Sequence, residues 1–215
     1  CFVIKLDCPL ILASGSPRRK EILDTMGLSY IVDVSDVDEA YEADPESMVL
    51  ELSRRKAEAV AVKHENSIIL AADTLVFGGE VLGKPQSTAH AKQMLKYLSD
   101  NWHSVYTGVT IIDTHSGKVL SRADVTRVHF VRLSDEDIDA YVATGECSDK
   151  AGSYGIQGMG GMFIDRIEGS YSNVVGLPMA LVRSMLMEIK QTGMLPAASP
   201  TKYCKFCRSA TEHDV

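Results

Sequence analysis

Short apolar segments alternate along the chain with longer segments in which apolar residues recur at helical spacing. A continuous apolar run bounded by turn residues is typical of a buried strand, and apolar residues three or four positions apart are typical of an amphipathic helix. The strand patterns cover residues 9–13, 30–34, 67–72, 105–113, 118–130 and 162–167. The helix patterns cover residues 18–26, 45–65, 88–98, 134–145 and 178–191. This alternation predicts an α/β fold.

Two antiparallel hairpins are predicted, so the sheet is expected to be mixed. Residues 75–77 and 81–82 are joined through a pair of glycines, and such a dipeptide favours a tight turn. Residues 105–113 and 118–130 form a longer antiparallel pair around a short polar turn. Antiparallel pairs within an alternating strand-helix chain predict a central mixed β-sheet flanked by helices.

Composition indicates a single globular domain. The chain has 215 residues, of which 45% are hydrophobic and 24% are charged, close to the globular average. We expect one domain over residues 1–192, because the periodic patterns are confined to that range. The periodicity is lost after Gly193, and residues 193–215 are predicted to form a flexible C-terminal tail.

Net charge narrows the choice of partner. The chain carries 22 Lys and Arg against 29 Asp and Glu, a formal charge of -7. Broad binding to nucleic acid or to an anionic membrane surface needs a basic face, so neither partner is expected. No apolar run approaches the roughly 18 residues that a membrane-spanning helix needs. A phosphate-bearing ligand would therefore be bound by a few placed cations.

The cysteine pattern is that of a protein from a reducing compartment. Five cysteines are scattered along the chain, and only Cys204 and Cys207 are close together. That pair with His213 supplies at most three of the four ligands of a structural zinc site, so an ordinary tail is the favoured interpretation. The first residues lack the apolar core of a signal peptide, and a cytoplasmic location is expected.

Residues 14–19, SGSPRR, carry the strongest sign of chemistry. Ser14 and Ser16 lie between a predicted strand and a helix that begins at Pro17, and Arg18 and Arg19 follow in the first turn. Cations at a helix N-terminus are locally unfavourable by roughly 0.3–1 kcal/mol each. A bound anion such as a phosphate chain would remove the conflict, because it attracts both the helix end and the guanidinium groups. Two solvated arginines on an exposed turn are the alternative.

Carboxylates near the most apolar strand form a second candidate. Asp73 is predicted at the end of strand 67–72, and ligands of α/β sheets bind at strand ends. Asp38 and Glu39 lie in an acidic loop, and either of them with Asp73 could hold a hard divalent cation, which prefers oxygen ligands. A turn cap for Asp73 and a solvated acidic loop are the alternatives.

Three further polar residues complete the candidate set. Lys56 is the only charged residue on an otherwise apolar helix face, although a lysine stem also snorkels along such faces. Lys84 follows the first hairpin and is suited to a phosphate, whereas Pro85 excludes a phosphate-binding loop of the G-x-x-x-x-G-K-[ST] type. Gln157 lies between glycines and has the donor and the acceptor needed to bind a base edge.

Taken together, these segments resemble the Maf family of nucleoside triphosphate pyrophosphatases. The matching segments are SGSPRR at 14–19, KA at 56–57, ADT at 72–74, LGKP at 82–85 and DKAGSYGIQG at 149–158. They occur in the order and spacing of the family over about residues 9–190. The resemblance implies a Maf/ITPase-like fold with a cleft between two lobes, a Mg²⁺ or Mn²⁺ cofactor and a homodimer.

The variant residues are similar to those of the dTTP/UTP pyrophosphatase subgroup. The resemblance implies that Arg18, Thr74 and Gln157 are specificity positions and that Asp73 is a general base. It also implies metal- and phosphate-handling roles, for Glu39, Lys56, Lys84 and Arg19. The expected reaction cleaves a pyrimidine nucleoside triphosphate between the α and β phosphorus and removes aberrant nucleotides. A pyrophosphatase for 7-methyl-GTP or another modified purine, and a non-catalytic nucleotide-binding regulator of cell division, are the alternatives.

Overall fold

The computed structural model describes residues 4–38 and 40–193. Seven strands and six helices follow one another with two short 3₁₀ turns, at Ala151–Ser153 and Met159–Phe163. The strands are β1 Leu10–Leu12, β2 Ile31–Val32, β3 Ile68–Phe77, β4 Val81–Leu82, β5 Trp102–Asp113, β6 Val119–Phe130 and β7 Ile164–Glu168. The helices are α1 Pro17–Thr25, α2 Pro45–Ala61, α3 Thr88–Leu98, α4 Asp135–Ala143, α5 Tyr171–Val175 and α6 Met179–Gly193.

All seven strands form one mixed sheet, which confirms the predicted α/β class. The spatial order is β2-β1-β3-β5-β6-β7, and the short β4 pairs with the end of β3. β1 is parallel to both β2 and β3, while all other pairs are antiparallel. Both predicted hairpins are present, with Val76 opposite Leu82 in the first and Val105 opposite Thr126 in the second.

Alternating residues of β3 pack against helices on opposite faces of the sheet. Ile69 and Ala71 contact the α2 side, whereas Leu70 belongs to the cluster that α1 and α6 cover. Helix α2 approaches the sheet closely at Gly108, where an added Cβ would lie 2.2 Å from the carbonyl oxygen of Val49. Glycine at this position is therefore needed for α2 to pack on β5.

A second core lies toward the far end of the long strands. Phe130 is fully buried there, with Tyr154 and Phe163 in edge-to-face contact around it, and α3 and α4 cover the cluster. Along β3 the first core ends at Ala72 and the second begins at Val76. The intervening residues, which include Asp73 and Thr74, therefore lie at the junction of the two cores, where the resemblance implied a cleft.

The predicted boundary at Asp73 was wrong. β3 continues through Asp73 to Phe77, because every residue of this stretch pairs with β5 and thus has backbone partners. The parallel pairing of β3 with β1 does end shortly before Asp73, because β1 stops at Leu12, opposite Leu70. Asp73 therefore extends beyond the parallel part of the sheet.

Other boundaries also differ from the sequence patterns. Helix α2 ends at Ala61, β5 begins at Trp102, and β7 begins only at Ile164 after a 3₁₀ turn. The short helix α5 was not predicted. Of the predicted tail only Gly193 is described, as the last residue of α6, and Cys204 and Cys207 lie outside the described residues. Within residues 4–38 and 40–193, no helix is long and apolar enough to cross a membrane.

Candidate active site

A cavity of about 1090 Å³ lies where the two cores meet. Its walls are the N-terminus of α1, the middle of β3, the loop after β4 and the glycine-rich segment that precedes β7. Nine residues that the sequence singled out line it: Ser14, Ser16, Arg18, Arg19, Lys56, Asp73, Thr74, Lys84 and Gln157. Residues far apart in the chain are thus brought to one concave surface of a size typical for a small-molecule site.

The N-terminus of α1 opens into this cavity. Pro17 occupies the first turn, and the N-cap Ser16 makes no side-chain capping hydrogen bond. The first turn contains no acidic residue. Ser14 is buried, and its Oγ accepts a hydrogen bond from the backbone N–H of Ser16 at 3.3 Å. A helix end left uncapped by side chains and flanked by arginines is suited to an anion.

The two arginines differ in their surroundings. The guanidinium of Arg19 donates to the carbonyl oxygen of Gly176 at 2.9 Å, to Ser14 Oγ at 3.0 Å and to Thr74 Oγ1 at 3.2 Å. Arg18 instead makes one exposed ion pair, from Nη1 to Asp149 Oδ2 at 3.3 Å. Arg19 therefore joins α1 to β3 and to the end of α5, whereas Arg18, among the described residues, pairs with the exposed Asp149.

Lys56 and Asp73 form a nearly buried ion pair. Lys56 Nζ lies 2.6 Å from Asp73 Oδ1, and their side chains are 12% and 15% exposed. Oδ2 of Asp73 accepts no hydrogen bond from the described residues. The lone charge on the apolar face of α2 is thus explained by a partner on β3, and both residues line the cavity.

Thr74 belongs to a hydroxyl network under the arginine. Its Oγ1 lies 3.0 Å from Thr107 Oγ1 and also accepts from Arg19. Thr107 in turn donates to the carbonyl oxygen of Asn173 at 3.2 Å. The Thr74 hydroxyl is therefore held by protein groups.

Lys84 and Gln157 are exposed polar residues of the cleft. Both side chains line the cavity, and within the described part of the chain neither makes a hydrogen bond or an ion pair. An exposed amine and an exposed amide in a cleft are available to a ligand without breaking a contact within the described residues.

None of the described residues of the acidic loop, 36–38 and 40–44, lines the cavity. Asp38 does not line the cavity, and its Oδ1 accepts a hydrogen bond from the backbone N–H of Ala40 at 2.9 Å. Glu39 lies outside the described residues. Residues 4–38 and 40–193 contain no group of three or more His, Cys, Asp or Glu side chains placed to hold a metal ion.

Glu146 is a cavity residue that no sequence pattern singled out. Its carboxylate accepts from the backbone N–H groups of Met159 at 2.9 Å and Gly160 at 3.2 Å, and from the hydroxyl of Tyr141 at 3.0 Å. Burial tends to raise the pKa of Glu146, but these hydrogen bonds outweigh it and the pKa is lowered. The partners lie up to 14 residues away, so no local motif reveals them.

Asp149 and Lys150, which open the DKAGSYGIQG segment, form an ion pair at the cavity. Lys150 Nζ donates to Asp149 Oδ1 at 2.7 Å and to the carbonyl oxygen of Glu146 at 2.6 Å. The hydrogen bond from Lys150, aided by nearby Arg18, lowers the pKa of Asp149.

The unpredicted helix α5 supplies a wall of the site. Asn173 is fully buried and donates from Nδ2 to the carbonyl oxygen of Val105 at 3.0 Å and to Thr126 Oγ1 at 2.9 Å. These bonds attach α5 to β5 and β6 and thereby hold the Gly176 carbonyl that binds Arg19. Asn173 follows the polar stretch SYS at 170–172, and no pattern in the sequence singled it out.

Comparison with known proteins identifies the family. The profile of the Maf-like protein family matches residues 9–189. The chain belongs to the Maf family. Among curated proteins, this Maf chain is 49% identical to the dTTP/UTP pyrophosphatase of Halalkalibacterium halodurans, over 80% of the chain and 91% of that protein. It is 48% identical to the dTTP/UTP pyrophosphatase of Bacillus cytotoxicus, over 84% and 94% respectively. The resemblance drawn from the five segments is thus confirmed.

One solved structure similar to this Maf chain is that of a HAM1 protein from Coxiella burnetii. The TM-score is 0.49 at 16% sequence identity, and the match covers 84% of this chain and 99% of that one.

Proposed function

We propose that this protein hydrolyses dTTP and UTP between the α and β phosphorus, releasing the nucleoside monophosphate and pyrophosphate and so clearing nucleotide pools. The relatives named as dTTP/UTP pyrophosphatases, 47–49% identical over most of the chain, support the reaction. The observation that carries the proposal is one cavity in which Arg18 and Lys84 face the same space as Asp73. A polyphosphate needs cations along its length, and its hydrolysis needs a group that orients water.

The charges of the cleft favour a polyanionic substrate. Arg18, Arg19, Lys56 and Lys84 line one cavity together with the uncapped end of α1. Ion pairs with Asp73 and Asp149 offset the charges of Lys56 and Arg18 in part, and a triphosphate would supply further negative charge to the cluster of cations. Lys84 and Arg19 are proposed to bind the β and γ phosphates, where they stabilise the charge that develops on the leaving pyrophosphate.

In the proposed mechanism, Asp73 is the general base. Lys56 holds its Oδ1 at 2.6 Å and so fixes the carboxylate, while Oδ2 accepts a proton from the attacking water. The water oxygen bonds to the α phosphorus, the bond to the bridging oxygen breaks, and the electron pair leaves with pyrophosphate. Removing general-base assistance typically slows a reaction about 10²–10⁴-fold.

Base selection is assigned to three positions. Gln157 offers an amide donor and an acceptor at the cavity, which suits the edge of a pyrimidine. Arg18 is held at the cavity by its ion pair with Asp149. Thr74 is proposed to act indirectly, because it accepts a hydrogen bond from Arg19 and so helps to shape the cavity wall. Ser14 and Ser16, at the end of α1, are proposed to contact the phosphates.

A divalent cation, Mg²⁺ or Mn²⁺, is part of the proposal. A carboxylate oxygen has two lone pairs, so Asp73 Oδ2, which accepts no hydrogen bond from the described residues, would offer one lone pair to such an ion and keep the other for the water proton. Mg²⁺ usually takes one or two carboxylates and completes its shell with phosphate oxygens and water, so a site without three clustered ligands also fits. Asp73 and Glu39 would hold it, with Asp38 as the alternative in the acidic loop. When bound, the ion neutralises phosphate charge.

A direct product assay tests the reaction. The purified full chain is incubated with dTTP, UTP, dCTP and 7-methyl-GTP with Mg²⁺ or Mn²⁺, and the products are separated by phosphorus NMR. We expect monophosphate and pyrophosphate in equal amounts from dTTP and UTP, and loss of turnover on chelation. Release of inorganic phosphate, preference for 7-methyl-GTP, or tight binding of dTTP without turnover would each contradict the proposal.

Domain extent, assembly and location complete the proposal. We assign residues 1–192 to the catalytic domain, which the family match over 9–189 supports. A homodimer is proposed from the family resemblance, and light scattering of the purified chain tests it. A cytoplasmic location is proposed because the nucleotide substrates are there and because the described cysteines, Cys8 and Cys147, are unpaired thiols.

A further inference from the structure

The segment that carries Gln157 is shaped by an acidic side chain beneath it. We call residues 155–160 the glycine segment. Two backbone N–H groups of the segment donate hydrogen bonds to the Glu146 carboxylate. Met159 donates to Oε2 at 2.9 Å and Gly160 donates to Oε1 at 3.2 Å. The hydroxyl of Tyr141 joins Glu146 to the start of the segment: it donates to Glu146 Oε1 at 3.0 Å and accepts from the backbone N–H of Gly155 at 3.2 Å. One carboxylate and one phenol therefore bind the backbone at both ends of the segment.

The packing is too close for a side chain at the glycines of the segment. A Cβ added at Gly158 would lie 2.4 Å from Glu146 Oε2, and one added at Gly160 would lie 2.9 Å from the Tyr141 hydroxyl. On the other side, Lys150 packs against Gly155, where an added Cβ would lie 2.7 Å from its Cε. The glycines are thus explained by the groups that the backbone must approach.

The side chain of Gln157 is not held by a hydrogen bond or an ion pair to any residue that the structure describes. It is exposed, and no hydrogen bond joins its amide to the described residues. Its direction toward the cavity depends on the backbone on either side, and that backbone is held by Glu146 and Tyr141. Such preorganisation of the backbone lowers the entropic cost of ordering the segment when a ligand binds, so a hydrogen bond from Gln157 contributes more to affinity.

We propose that Glu146 is the positioning residue for base recognition, acting by holding the glycine segment so that the Gln157 amide faces the substrate. This inference rests on the proposed function, since it concerns the selection of a pyrimidine base. Glu146 is not a second general base, because both of its oxygens already accept hydrogen bonds from the protein. The same bonds lower its pKa, so it stays an acceptor-only carboxylate near neutral pH.

The variant Glu146→Gln tests the proposal, because an amide nitrogen cannot accept the hydrogen bond that one carboxylate oxygen accepted. We measure kcat and KM of the full-length protein for dTTP and for dCTP. The preference for dTTP, as the ratio of the two kcat/KM values, is expected to fall about tenfold, which corresponds to ~1.4 kcal/mol. Most of the loss should be in KM for dTTP, with kcat within roughly threefold, as for a lost binding contact.

A double-mutant cycle separates positioning from general damage. If Glu146 acts through Gln157, then Glu146→Gln added to Gln157→Ala should lower the preference no further than Gln157→Ala alone. Glu136→Gln is the matched control, since Glu136 is an exposed carboxylate on the neighbouring helix α4 and should leave both constants unchanged. An unchanged preference in Glu146→Gln, or full additivity with Gln157→Ala, overturns the proposal.

A milder variant keeps the test decisive if Glu146→Gln does not fold. Tyr141→Phe removes only the hydroxyl that joins Glu146 to Gly155, and it should lower the preference for dTTP in the same direction by roughly threefold. A folded Tyr141→Phe protein with wild-type preference overturns the proposal. Failure of the wild-type protein to cleave dTTP or UTP would instead reject the proposed function, so the two failures are distinguishable.

Discussion

The ion pair between Lys56 and Asp73 allows a prediction of both stability and turnover. Its atoms are 2.6 Å apart, and both side chains are largely shielded from water. Removal of one partner from a fully buried pair typically costs ~3–5 kcal/mol, because the other charge is left uncompensated. This pair borders an open cavity, through which water reaches the remaining charge. We therefore expect about 2 kcal/mol for Lys56→Met, below the fully buried range.

Lys56 has contacts besides Asp73, so a cycle is needed to isolate the pair. The wild type, Lys56→Met, Asp73→Asn and the double variant are unfolded in urea at one pH. The coupling free energy removes contributions that each side chain makes elsewhere. We expect a coupling free energy of ~1–2 kcal/mol between the two side chains. A free-energy difference of that size corresponds to roughly 2–8 °C in Tm for a domain of this size.

A surface pair on the same helix is the matched control. Arg54 and Glu58 also lie 2.7 Å apart, but their side chains are 57% and 48% exposed. Exposed pairs at this helical spacing contribute only about 0.3–0.5 kcal/mol. A coupling between Lys56 and Asp73 no larger than that of Arg54 and Glu58 would refute the argument that shielding strengthens the inner pair.

Turnover separates the catalytic role of Asp73 from its structural role. Asp73→Asn keeps the size of the side chain and remains folded, but the amide is a poor base. We expect pyrophosphate release from dTTP to fall at least ~100-fold. Near wild-type turnover in Asp73→Asn would show that Asp73 is not the base.

Three further predictions follow from separate features of the structure. Lys84→Ala should raise KM for dTTP about tenfold or more, which corresponds to ~1.4 kcal/mol. Tm should not fall, because Lys84 is exposed and forms no ion pair with the described residues. An unchanged KM would exclude a contact between Lys84 and the phosphates. Gly108→Ala should destabilise the protein by at least ~2 kcal/mol in urea unfolding, because its Cβ would overlap the Val49 carbonyl; wild-type stability would mean that α2 does not pack as described. Burial raises the pKa of Asp113, but the Ser116 hydroxyl and nearby backbone N–H groups outweigh it and lower the pKa. The stabilisation from Asp113 is therefore present above its unfolded pKa of about 3.9 and is lost as pH falls through the lower folded value. Asp113→Asn should be less stable than the wild type at neutral pH, and the difference should shrink as pH falls below the unfolded pKa; a stability difference independent of pH would contradict this.

The fold was largely predictable because its elements have strong local patterns. The apolar run before Asp73 and the turn glycines after Phe77 define a strand and a hairpin without tertiary information. Asp73 was placed at a strand end because aspartate is rare within strands. Its place within β3 depends on pairing with Gly108 of β5, which local sequence does not reveal.

The membership of the site was predictable, but its internal contacts were not. Unfavourable placement singled out Arg18 and Arg19 near a helix end and Lys56 on an apolar face. The structure shows that Arg19 and Lys56 each bind groups far away in the chain, at Gly176 and Asp73. Such pairings, like the contact of Glu146 with the glycine segment, arise from tertiary packing and leave no spacing signal.

The fate of the attacking water tests the central claim most directly. The protein is allowed to hydrolyse dTTP with Mg²⁺ in water labelled with heavy oxygen, and the products are weighed by mass spectrometry after a single turnover. If water bound at Asp73 attacks the α phosphorus and pyrophosphate leaves, the label appears in dTMP alone. Label in the pyrophosphate would place the attack on the β phosphorus and contradict the account.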